Sequence, residues 1–296
     1  MQLQPGWRRD DDTKAMVAFS FSDTELIQVA QELPSAPRLL VELGPMIQNY
    51  RTDSQDVVAL LRRDPGLVAR ILRMANSAAY GRAEPAGSLE EAVAGIGFRE
   101  VHRLVGAVAA LQLADRSMPL YGVEGVHVRQ NALLVGVTME ELAEECGEEP
   151  RSCYTVGLLR SIGKMALEIL GKRGPQIRPF AESGAASLEE WELKSFGTTN
   201  CEVAEKILVH WRLPHETVLA IRHHYHPAGK HNPVIHLLAL AAASAEDRCY
   251  GLPGEENVLK ATPENFTRAG LDERTYRKAC ERAQRTFLKL HAATGA

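Results

Sequence analysis

With 296 residues, 45% of them hydrophobic and 24% charged, the chain has the balance of a globular protein with room for one large domain or two ordinary ones. Its formal charge of -4 carries no global basic signature, so net charge alone does not favour nucleic acid as a partner. Five scattered cysteines (Cys146, Cys153, Cys201, Cys249, Cys280) without a Cys-x-x-Cys pair argue against a disulfide framework or a zinc knuckle and suit reduced thiols in a cytoplasm.

Residues 1–21 are polar and aperiodic and are expected to form a mobile leader; they lack the apolar core of a signal peptide. No later run of about 18 apolar residues is free of charge, so no membrane segment is expected. From Ser22 the pattern reads as helix after helix. Ser22 or Asp23 caps the first, carrying Leu26, Val29 and Leu33, and Pro37 opens a second with Leu40, Leu43 and Ile47 on one face. Asp53 or Ser54 caps a third, and Asp64-Pro65 starts a fourth through Leu67, Ile71 and Met74. Ser88-Leu-Glu-Glu91 reads as a capping box, Gly97 closes that helix, and a longer apolar one follows over 98–114.

Pro119, Gly122 and Gly125 mark a division between an N-terminal half, 22–115, and a second half, 126–248. The second half is predicted to hold helices over 126–146, 151–162 and 164–170, a loop over 171–184, a capping box at Ser187–Glu190, and helices over 200–212, 214–225 and 232–248. A Gly-Pro-rich passage, 251–263, then leads to a C-terminal extension, 264–296, with one amphipathic helix over 272–292 whose apolar side holds Tyr276, Cys280, Ala283, Phe287 and Leu290. No stretch alternates with period two, so the fold class is all-α, a compact multi-helix bundle.

Several blocks carry more than secondary structure. They are Leu-Pro-Ser-Ala-Pro from residue 33, the run Arg-Arg-Asp-Pro-Gly-Leu-Val-Ala-Arg-Ile-Leu-Arg-Met-Ala-Asn-Ser-Ala-Ala-Tyr-Gly ending at Gly81, and Ser-Leu-Glu-Glu-Ala-Val-Ala-Gly-Ile-Gly-Phe-Arg-Glu-Val ending at Val101. Trp-Arg-Leu-Pro at 211–214 and His-His-Tyr-His-Pro at 223–227 follow in the second half. In this order and spacing the blocks resemble the HDOD domain, a bacterial relative of the HD hydrolases, over residues 22–248. The resemblance implies an HD-like bundle of two helical subdomains packed together.

HD hydrolases hold a divalent metal with a His-Asp pair set in a Gly-Leu-Leu-His-Asp-Ile-Gly-Lys-like segment. Here the segment is Gly157-Leu-Leu-Arg-Ser-Ile-Gly-Lys164, with Arg160 and Ser161 in the ligand positions. A guanidinium cannot ligate a cation and repels one beside it. The resemblance places two further ligand positions at Gln130 and Asn200, both neutral amides, and the late aspartate near Ala242, with Asp247 more than a turn away. A catalytic metal is therefore not expected, nor any cofactor, and the protein is read as no enzyme. His223, His224 and His226 remain as imidazoles, with His210, His215, His231 and His236 nearby. His223 and His226, at i,i+3 on one helix face, could offer imidazoles to a metal, but no carboxylate in register completes a set, so they read as helix-end histidines that cap carbonyls and face water; Gln130, Arg160, Ser161, Asn200, His223 and His224 are expected to form a vestigial pocket. Arg160 is expected to pair with a carboxylate or with backbone carbonyls there, since an unpaired buried guanidinium costs several kcal/mol.

Arg62, Arg63, Arg70, Arg73, Arg99 and Arg103 form a basic stripe, which serves either as a partner surface or as an ordinary solvated, ion-paired face. Three functions follow. The first is a non-catalytic module that binds other signalling proteins, which HDOD relatives associate with motility, stress and cyclic-dinucleotide pathways. The second is a degenerate hydrolase that still binds a nucleotide or phosphate through Arg160, and the third is a nucleic-acid binder using the stripe. The first needs no chemistry that the sequence lacks. The last helix docks on the bundle or serves as a homodimer face.

Overall fold

The computed structural model describes residues 21–294 except 82, 83, 115, 116 and 175. The expected leader, apart from Phe21, lies outside the described residues. Among those described there is no strand; a single antiparallel bridge joins Met118 to Val123. Helices occupy Asp23–Glu32 (α1), Ser35–Gln48 (α2), Ser54–Leu61 (α3), Pro65–Ala75 (α4) and Leu89–Ala114 (α5). They continue with Gly125–Cys146 (α6), Pro150–Leu159 (α7), Ile162–Arg173 (α8), Phe180–Ser183 (α9) and Leu188–Phe196 (α10). Asn200–His210 (α11), His215–His223 (α12), Pro233–Glu246 (α13), Pro263–Ala269 (α14) and Glu273–Ala293 (α15) complete the fold.

The helix starts obey side-chain capping. Ser22 Oγ accepts from the Glu25 amide while the Glu25 carboxylate accepts from the Ser22 amide, and Asp53 and Asp56 repeat the exchange. Ser88 and Ser187 cap as expected, but Glu91 and Glu190 reach one residue further back, to the amides of Gly87 and Ala186. Helix α2 begins at Ser35, so Pro37 falls within the first turn, where its missing N–H leaves no ladder bond unmade. Gly97, at φ 78° and ψ 163°, breaks α5 into the two runs expected on either side of it. Three elements depart from expectation, the first being the short α9, which falls inside the stretch 171–184 read as a loop. Helix α8 continues to Arg173, where Lys172 pairs with Glu168, and α14 forms where Thr262 accepts from the Asn265 amide and Pro263 supplies the first helical residue.

The core is organised on α6, which is buried on nearly every side from Val128 to Ala143 between α5, α7, α13 and α15. Glycine lets it be approached closely. A Cβ on Gly157 of α7 would stand 2.7 Å from Gly136 Cα, so the two backbones are in contact. The halves interleave as well as abut, for α1 packs on α8 and α11, and α2 on α7. Helix α15 lays Tyr276, Cys280, Ala283, Phe287 and Leu290 against the bundle, chiefly on α6. Along the same seam Arg103 donates to Glu140 at 2.8 Å and to Glu100 at 2.7 Å, and Arg282 of α15 donates to Glu141 at 2.7 Å.

Candidate functional site

The Gly157–Lys164 segment is not one helix. Helix α7 ends at Leu159, the chain turns through Arg160 and Ser161, and α8 begins at Ile162. The turn is held by backbone contact: a Cβ on Gly163 would sit 1.8 Å from the Asn200 carbonyl oxygen, so α8 rests directly on the start of α11. Arg160, in that turn, and Lys164, in the first turn of α8, are each 2% exposed and point inward.

Both cations meet one carboxylate. Arg160 Nη1 donates to Glu255 Oε2 at 2.8 Å, Lys164 Nζ donates to Glu255 Oε1, and the Tyr225 hydroxyl donates to the same oxygen at 2.5 Å. Arg160 Nη2 donates to Asn131 Oδ1 at 2.7 Å, and Asn131 is itself fixed by donating to the Tyr250 carbonyl at 2.7 Å. The Lys164 ammonium lies 5.8 Å from the Tyr121 ring centre and 5.9 Å from that of Tyr225. Burial alone would raise the Glu255 pKa, but Arg160 and Lys164 outweigh it and hold it at about 2, so this carboxylate stays ionised.

A second buried cluster adjoins the first. Glu192, fully enclosed, accepts from the Tyr121 hydroxyl at 2.8 Å, from the Asn200 amide at 2.8 Å, and from Asn200 Nδ2. Burial pushes its pKa up. His224, also fully enclosed, lies with Nδ1 2.8 Å from the Ile221 carbonyl, which assigns the proton to that nitrogen. Burial first, and then the Arg160 charge, push its pKa down to about 3, so its ring is neutral near pH 7.

Of the residues assigned to the pocket, the structure buries Arg160, Ser161, Asn200 and His224. On α6 it is Asn131, not Gln130, that reaches Arg160; Gln130 is only half-buried. His223 is half-buried, and His226 is exposed and pairs with Glu189 at 3.0 Å. His210, His215 and His231 lie on the surface, while His236 is buried against Asn265 and the Lys230 carbonyl. The expected carboxylate for Arg160 exists, but it comes from Glu255, in the passage read as a spacer. Lys164 and Tyr225 complete the set and were not singled out.

These residues do not suit a divalent cation. Two permanent or near-permanent positive charges occupy the pocket, and its one carboxylate at that point is already saturated by them. Among the described residues no group of three or more His, Cys, Asp or Glu is arranged to hold a metal ion.

The arginine stripe divides. Arg62 pairs with Glu90 and Arg63 with Glu42, each at 2.6 Å on the open surface, and Arg99 pairs with Glu144 at 2.5 Å. Arg70 is half-buried and Arg73 exposed. Arg103 does not belong to a partner surface: it is 8% exposed and committed to Glu100, Glu140 and Glu141, because α6 covers that face of α5.

The profile of the HDOD domain matches residues 33–227. The chain is similar over 92% of its length, at TM-score 0.68 and 22% identity, to 97% of an HDOD domain protein of unknown function from Geobacter sulfurreducens. It superposes at TM-score 0.61 and 23% identity on a candidate phosphohydrolase from Shewanella amazonensis SB2B, covering 91% of this chain and 98% of that one. A candidate signal transduction protein from Marinobacter aquaeolei VT8 matches at TM-score 0.65 and 22% identity, over 92% of this chain and 64% of that one. An uncharacterised protein of Treponema pallidum (strain Nichols) is 25% identical over 71% of this chain, which spans 41% of that relative's length. At these identities the structural likenesses establish the fold, and no described helix is long and apolar enough to cross a membrane. With the profile covering about two thirds of its length, the chain belongs to the HDOD domain family.

Proposed function

We propose that this chain is a non-catalytic regulatory module that works by binding other proteins, its hydrolase-like pocket kept as interior structure. One observation supports the reading: Arg160, at a position that the resemblance gives to a metal ligand, is buried in an ion pair with Glu255, which Lys164 shares, and such a cation cannot hold a metal that activates water. The neighbour described as a candidate signal transduction protein accords with a signalling role. Binding of a nucleotide or phosphate anion at Arg160 is less well supported, since such a ligand would have to displace Glu255 from an ion pair 2% exposed on both sides. Nucleic-acid binding is likewise disfavoured, because most of the stripe is already ion-paired and the net charge is -4.

The test is elemental analysis of the purified full chain together with turnover of phosphomonoester and phosphodiester substrates in added manganese or magnesium. The expected result is metal well below one ion per chain and no turnover above the buffer rate. A stoichiometric metal, or turnover abolished by His224→Ala, would overturn the reading.

A further inference from the structure

The segment 251–262 acts as a strap across the bundle. Its inner side carries Leu252 and Glu255, each 2% exposed, into the core and the pocket. Its outer side forms one wall of a groove of about 520 Å³, where the start of α6 and the end of α13 supply the others. Its lining includes the apolar side chains of buried Val123, half-buried Pro253 and Val126, the last 52% exposed.

The rim is one-sided in charge. Glu124, Glu246 and Glu256 line it, and among the described residues none of the three forms an ion pair, unlike Glu42, Glu90 and Glu190, which pair with Arg63, Arg62 and Lys194. Their hydrogen bonds are to neutral groups, Ser117 Oγ onto Glu124 at 2.9 Å and the Gly254 amide onto Glu256 at 3.2 Å. Glu246 is packed against the Gly251 backbone so closely that a Cβ there would meet its carboxylate. Partial burial, and then the charges of Glu256, Glu255 and Asp247, push the Glu246 pKa up. Among the described residues the lining offers His127, whose Nε2 lies 2.5 Å from the Gly251 carbonyl, and no lysine or arginine.

We propose that this groove docks a partner protein through a short segment that places apolar side chains on Val126 and Pro253 and lysine or arginine against Glu124, Glu246 and Glu256. The inference rests on the reading of the chain as an interaction module and names the chemistry of its partner. Charge complementarity selects the occupant, because nucleic acid and an anionic lipid surface would both be repelled by the same rim. The volume suits a few side chains of a peptide. Docking there also clamps the strap that carries Glu255, so the groove and the buried pocket share one element.

The experiment is fluorescence anisotropy of the full chain with a labelled twelve-residue peptide alternating leucine with arginine or lysine. Two controls replace its basic residues by glutamate or its leucines by serine. Saturable binding of the first peptide alone is expected, weakened roughly tenfold or more by Glu124→Gln/Glu246→Gln/Glu256→Gln. Val126→Ser alone, which leaves the charges intact, is expected to weaken it severalfold, while Glu42→Gln on the opposite half leaves it unchanged. Amide exchange over 251–256 is expected to slow in the complex. Absence of binding, or binding equal in the triple variant and the native chain, overturns the groove. Neither result touches the metal and turnover assays, which judge the interaction-module reading separately.

Discussion

Replacing Glu255 by glutamine keeps the shape of the side chain and removes the one negative charge that faces Arg160 and Lys164. Breaking a buried ion pair from one side costs about 3–5 kcal/mol, because the remaining charge is left without compensation. The depressed acidity gives a similar figure: a fall from 4.5 to about 2 corresponds to roughly 3 kcal/mol of interaction favouring the ionised form. A loss of about 4 kcal/mol in a chain of this size lowers the thermal midpoint by roughly 8–16 °C. Urea denaturation followed by circular dichroism at pH 7 measures it directly. The folded-state pKa lies below the unfolded one, so the contribution of Glu255 is complete above about pH 4.5 and drains away as the pH falls toward 2. The gap between native protein and Glu255→Gln should therefore narrow in acid. Replacing Arg160, Lys164 and Glu255 together by methionine or leucine should recover most of the loss, since a packed apolar core is often as stable as a buried pair. A Glu255→Gln penalty below about 1 kcal/mol at pH 7 would refute the account, for it would mean that the cluster is solvated rather than buried.

Gly163→Ala forces a Cβ onto the Asn200 carbonyl, and since both sides of that clash are backbone, a loss of about 3 kcal/mol or more is expected in urea unfolding. Arg103→Ala is expected to cost about 3–5 kcal/mol, whereas Arg62→Ala with Arg63→Ala costs less than about 1 kcal/mol in all, a contrast that thermal melts read directly. His102 and His224 are both held neutral by burial at a pKa of about 3, so the unfolded chain takes up their protons first as the pH falls below 6.5. Stability should be complete above about pH 6.5 and fall by about 2 kcal/mol per histidine at about pH 5. A urea midpoint that is flat between these values would contradict their burial as neutral rings.

What the sequence made legible was local. Asp53, Asp64 and Ser187 announce helix starts because a capping side chain and its amide partner lie within three residues of each other. Arg160 was legible as a buried cation in need of an anion, from its place in an otherwise apolar run. Its partner was not, because Glu255 lies 95 residues on, in a stretch without periodicity, beside an equally plausible Glu256 that faces solvent. That Asn131 rather than Gln130 reaches Arg160 was hidden for a different reason: α6 is covered on almost every side, so its sequence offers no polar face from which to read its rotation. Arg103 was misplaced for the same reason in reverse. A helix that looks amphipathic alone can have its charged edge sealed by neighbours, here α6 with Glu140 and Glu141, that only the tertiary fold supplies.

The strap bears on where this chain can be cut. A protein ending at residue 248 would keep every helix of the family-matched segment, yet it would lack Glu255 and would no longer cover Asn131 through the Tyr250 carbonyl. Arg160 and Lys164 would be left facing each other across an opened interior, and water or a foreign anion would have to enter to screen them. Ligand screens on so shortened a protein would then find phosphate and sulfate binders for a cavity that the longer chain does not possess. The limits of a folding unit are in this case drawn by neutralisation of charge rather than by the last recognisable helix.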